Sequence, residues 1–62
     1  MNPEIASLLN QSLDALRNSS LEMAELYLKQ ALNLEPNNPH SLRLLGVVAA
    51  QRADYEKAIE FF

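Results

Sequence analysis

Apolar side chains recur along this chain at helical spacing, and asparagine–proline pairs punctuate them. The first set is Ile5, Leu8, Leu9, Leu13 and Leu16. Intervals of three and four place it on one face of an amphipathic helix. Asn2-Pro3-Glu4 supplies the start: asparagine suits the cap, proline the first helical position, and glutamate the positive end of the helix dipole. This helix is expected to end near Arg17-Asn18. A second set, Leu21, Ala24, Leu28, Ala31 and Leu32, predicts another helix, its face widened by Leu26, Tyr27 and Leu34. Ser19-Ser20-Leu21-Glu22 reads as a capping box, with Ser19 as cap and Glu22 reaching back. Glu25 and Lys29 have the four-residue spacing of a helical ion pair. Pro36 disfavours helical geometry at Glu35 and closes the helix. Asn37-Asn38-Pro39 then repeats the opening device. A third helix is expected from Pro39 to about Arg52, packing through Leu42, Leu45, Gly46, Val47 and Ala49. Asp54 is placed as the cap of a fourth helix, from Tyr55 to Phe62.

Composition narrows the setting. Sixty-two residues make one small domain, which buries only about 60% of its unfolded surface and is marginal without help. The absence of cysteine excludes a disulfide framework and a thiolate metal site. The formal net charge is −3, and the five cations, Arg17, Lys29, Arg43, Arg52 and Lys57, are scattered. Phosphate backbones call for a clustered basic face, so nucleic acid is not an expected partner. The longest apolar run, Leu44 to Ala50, is too short for a bilayer, and no basic n-region opens the chain. A cytoplasmic protein with no membrane partner is the expectation.

The chain also repeats itself. At an offset of 34 residues, Ser7, Leu8, Ala15, Glu22 and Ala24 meet identical residues at Ser41, Leu42, Ala49, Glu56 and Ala58. Ser12/Gly46, Leu13/Val47, Leu21/Tyr55, Tyr27/Phe61 and Leu28/Phe62 are similar pairs. This is the period of a two-helix repeat. The second copy carries Leu42, Leu45-Gly46, Ala49, Asp54-Tyr55-Glu56-Lys57-Ala58-Ile59 and Phe62. The first adds Ala24, Leu28, Ala31-Leu32, Leu34 and Pro36. In this register the sequence resembles the tetratricopeptide repeat (TPR) family.

The resemblance implies an all-α fold of antiparallel helix–turn–helix repeats in a short right-handed solenoid. Residues 1–36 would form the first pair and 37–62 a second, incomplete one. Small residues at Ser12, Ala24, Ala31, Gly46 and Ala58 would let helices cross closely, so Gly46→Leu would be expected to force the second pair apart. Where the family often has glycine between paired helices, this chain has Ser19 and Ala53. A left-handed residue there would cost about 1 kcal/mol more than glycine. The implied function is protein–protein interaction. A peptide or protein would lie along a concave face formed by the first helix of each pair, at Ala6, Leu9, Asn10, Leu13, Arg17, His40, Arg43, Leu44, Val47 and Gln51. The Lys/Asn carboxylate clamp of some relatives is not formed, since its places hold Leu9/Leu13 and Arg43/Val47. His40 to Val48 also resembles the N-terminal repeats of bacterial TPR-glycosyltransferases. The alternative expectation is therefore the leading segment of such an enzyme, with catalysis outside these residues. Apolar repeat ends are further expected to make the chain self-associate, two copies covering each other.

Catalytic chemistry finds no constellation. His40 lacks a second histidine or a convergent carboxylate for metal or acid–base work. The serines have no base partner, the carboxylates read as solvating charges on helix surfaces, and no glycine-rich phosphate loop is present. The chain is not expected to be an enzyme or to hold a cofactor. Tyr27, Tyr55, Phe61 and Phe62 read as packing residues, and Met23 as an outer-surface one.

Overall fold

Asn2 opens the first helix as expected. Its Oδ1 accepts a hydrogen bond from the Glu4 N–H at 2.8 Å, Pro3 takes the first helical position, and α1 (Pro3–Arg17) follows. The structure, a computed structural model, describes the backbone of residues 2–60 and the side chains of residues 2–56. After α1 come α2 (Leu21–Leu34) and α3 (Pro39–Glu60). The described residues are thus all-α, with α2 lying between α1 and α3 and packing on both.

The turn between α1 and α2 departs from the expected capping box. Ser19 adopts a left-handed conformation, φ 59°. The Ser19 N–H donates to the Leu16 carbonyl at 3.1 Å and the Ser20 N–H to the Ala15 carbonyl at 2.8 Å. These two bonds form the Schellman motif that closes a helix C-terminus. Ser20 stands at the cap of α2 in place of Ser19, and its side chain makes no capping hydrogen bond. Serine holds this conformation at a steric cost that glycine escapes. Ser19→Gly is therefore expected to raise unfolding stability by about 0.5–1 kcal/mol, after allowing for the greater freedom of glycine in the unfolded chain. Urea denaturation measures this, and an unchanged or lowered midpoint would contradict it.

The core gathers Ile5, Leu9 and Ala15 from α1, Ala24, Leu28 and Ala31 from α2, and Val48 from α3. Leu8, Leu16, Leu21, Leu44 and Leu45 pack around it. Ser12 is fully buried, and its hydroxyl donates to the Leu9 carbonyl at 2.7 Å. The small residues Ser12, Ala24 and Ala31 permit close helix approach. Leu26 and Leu34, expected to widen the buried face of α2, are instead about half exposed, as is Met23.

The largest departure is in α3. No helix break occurs at Ala53-Asp54: α3 runs unbroken for 22 residues, about 33 Å at the usual rise. The described residues therefore hold three helices, and the separate fourth helix expected from Tyr55 is the continuation of the third. Its expected end at Phe62, and the packing roles of Phe61 and Phe62, lie outside the described residues. The physical reason is local. The first turn is made by a left-handed serine, whereas its counterpart Ala53 is the best helix former and a poor left-handed residue. Neither glycine nor proline occurs from Val47 to Glu60 to break the helix. The radius of gyration, 12.4 Å, exceeds the roughly 11 Å of a compact chain this long, because α3 projects past its neighbours.

The packing face of α3 shifts accordingly. Ser41 and Val48 are buried, with Leu44, Leu45 and Arg52 half-buried, a helical stripe that meets α2 at Arg52 and borders α1 at Leu44. Leu42, Gly46, Val47 and Ala49, expected as packing positions, are exposed. A Cβ placed on Gly46 meets nothing within 4 Å, so no close helix crossing depends on this glycine within one chain.

Glu25 ties α2 to α3. The expected pair with Lys29 forms at 2.9 Å, and Arg52, across the interface, reaches the other carboxylate oxygen at 2.9 Å. The hydrogen bond from Lys29, then the charges of Arg52 and Lys29, hold the carboxyl below its ordinary value of 4.5. A value lowered on folding stabilises the fold above 4.5, and that contribution is lost as pH falls through the lowered folded value. The melting-temperature gap between the parent and Glu25→Gln is thus expected to be widest near neutrality and to narrow below pH 4.5. A gap constant with pH would mean that the ion pairs are not its cause.

Candidate functional site

The antiparallel course of α1 and α2 returns the chain to the side where α1 began, and the short link 35–38 then sends α3 off beside them. Asn38 fixes that departure. Its Oδ1 accepts from the Ser41 N–H at 2.8 Å and from the Ser41 hydroxyl at 3.0 Å. Its Nδ2 donates to Glu35 Oε2 at 3.0 Å. With Pro39 beside it as the first helical residue, the cap sets the direction in which α3 leaves.

That direction opens a groove of about 270 Å3 between α1 and α3. Ala6, Leu9, Leu13 and Leu44 form an apolar floor, and Asn10, His40 and Arg43 flank it. All seven are among the ten residues singled out from the sequence, so two helices separated by a whole intervening helix do converge there. Leu9 is almost covered, while Leu13 remains 39% exposed, an apolar surface at the groove's edge. Arg43 is exposed and, among the described residues, has no acidic group within ion-pair distance, unlike Arg17, Lys29 and Arg52. Its guanidinium is thus available to an approaching acceptor.

The other three candidates stand apart. Arg17, Val47 and Gln51 lie one to two turns further along the same helices and do not line the groove. Arg17 is exposed and sits 3.6 Å from Asp14. A second depression, about 660 Å3, lies between the start of α1 and the end of α2 and was not foreseen. Leu8 and Leu34 line it beside Pro3, Glu4, Gln30 and Asn33. The signal was present in Leu34, an apolar residue in the last turn of α2.

The site offers shape, an apolar floor and hydrogen-bond donors. Among the described residues, no three histidine, aspartate or glutamate side chains gather as a metal set. No described helix is long and apolar enough to cross a membrane. No family model, curated protein or solved structure matches the chain.

Proposed function

We propose that this chain is a protein-interaction module built as a TPR-like helical repeat, and that it takes an extended or helical peptide segment in the groove between α1 and α3. The carrying observation is the convergence of Ala6, Leu9, Asn10 and Leu13 from one helix with His40, Arg43 and Leu44 from another. In a helix-pair repeat these are the first helices of successive pairs, and a groove between them continues from pair to pair. The depression at Leu8 and Leu34 is confined to a single pair, which makes it the weaker candidate for an extended ligand. The apolar floor suits one or two aliphatic or aromatic anchors. Asn10, His40 and Arg43 suit carbonyl or carboxylate groups of the peptide backbone and side chains.

Peptides selected from a random display library on the immobilised chain test this reading. The selected peptides are expected to lose at least tenfold in affinity, about 1.4 kcal/mol, with Leu13→Glu or Arg43→Ala. Met23→Glu, exposed and not part of the groove lining, should leave them unaffected. Peptides that bind the two groove variants as well as the parent would place recognition elsewhere.

A further inference from the structure

Among the described residues, one long face of α3 is bare, and the chain itself shows what kind of element covers such a face. The 34-residue register pairs each α3 position with one in α1. On α1, which packs mainly on α2, Ser12 is fully buried and Ala15 is 8% exposed, and Leu8 packs at the edge of the same core. Their counterparts are open: Gly46 and Ala49 are exposed, Leu42 is 51% exposed, and the space over Gly46 is empty. In the first pair, residues 20–26 begin the covering helix. The segment repeating them is 54–60, which keeps Glu56 and Ala58 in place of Glu22 and Ala24 and has Tyr55 in place of Leu21. This segment cannot reach the bare face of its own chain, because it continues straight along α3.

We propose that a second copy of this chain covers that face. The α3 helices of two copies lie antiparallel, and residues 54–60 of each pack over Gly46 and Ala49 of the other. The complementary segment and the bare face belong to the same sequence and are held apart only by a straightened turn at Ala53. Exchange between copies restores the missing contacts without new ones having to be invented. It is also closed. Straightening a hairpin about Ala53 places a two-fold axis there, so each copy gives and receives the same segment. Gly46 then has a purpose that it lacks within one chain, since its missing side chain lets the exchanged helix approach. This inference stands apart from the peptide groove, which lies between α1 and α3.

Sedimentation of the 62-residue chain across the micromolar to millimolar range tests it. A reversible monomer–dimer equilibrium is expected. Gly46→Glu, which meets open space in a single chain, should weaken dimerisation about tenfold or more while circular dichroism stays helical. Ala53→Gly, which eases a left-handed turn, should also shift the chain toward monomer by letting α3 fold back or by loosening the straight helix. Leu34→Glu, at the end of α2 remote from Ala53, should leave the dimer unchanged. A parent that remains monomeric throughout overturns the proposal, whether the face is then covered by a helix of another protein or by further repeats. A dimer indifferent to Gly46→Glu or to Ala53→Gly overturns it equally.

Discussion

Leu28→Ala is expected to leave most of the chain unfolded at room temperature. Leu28 is fully buried in α2, the helix that packs on both others. It is the largest buried side chain that this central helix contributes. Truncating a buried leucine removes its transfer energy and leaves a cavity, a loss of about 2–5 kcal/mol. A single core in so short a chain supplies only about 3–5 kcal/mol in total. The two magnitudes are comparable, so the variant should lose its cooperative melt, or retain it only in a protecting osmolyte. Leu26→Ala is the internal control. Leu26 is on the same helix but 50% exposed, and its truncation should change stability by no more than about 0.5 kcal/mol. Thermal melts that coincide for Leu28→Ala and the parent would refute the assigned core.

Asn38→Ala should come next in severity, at about 2–4 kcal/mol. The loss has two parts. Removing the cap from the α3 N-terminus costs about 1 kcal/mol. The Ser41 hydroxyl, fully buried and donating to Asn38 Oδ1, would be left without its partner, at about 1–3 kcal/mol. Asn38→Asp separates the parts. It keeps the acceptor for Ser41 but loses the donor to Glu35 and sets two carboxylates together, so it should be intermediate near neutral pH. Urea unfolding of the two variants checks the order. Equal stability of Asn38→Ala and the parent would show that the hydrogen-bonded junction is dispensable.

These two residues also mark how much the sequence disclosed. Leu28 was legible because its spacing from Ala24 and Ala31 marks one helix face, and hydrophobic burial follows such periodicity closely. Asn38 was legible as a cap because proline follows it, although its bond to Glu35 requires the link to fold back on itself, which spacing does not reveal. The ends of α1 and α2 were legible for the same local reasons. The course of α3 was not. A repeat register shows which residues correspond, but a turn forms only if its own residues accept the geometry and the returning helix gains enough contact. Ser19 accepts a left-handed backbone and Ala53 stays helical, a choice of about 1 kcal/mol that similarity between the copies does not express. The exposed positions of α3 followed from that one choice. The groove was legible in part because Leu9, Leu13 and Leu44 lie on regular faces. Which residues would meet across it depended on the angle at which α3 departs, and this removed Arg17, Val47 and Gln51 from its lining.

The shortness of the two connections, residues 18–20 and 35–38, bears on how the molecule comes into being. Each helix docks on the one made just before it, so nearly every contact is closed over a short stretch of chain. Local closure of this kind belongs to the microsecond-to-millisecond range, whereas synthesis adds only about 5–20 residues per second. The α1–α2 hairpin has time to form as soon as Leu34 is clear of the ribosome, before most of α3 has emerged. The nascent chain thus meets α3 with a finished docking surface, and the fold is assembled in the order in which it is read.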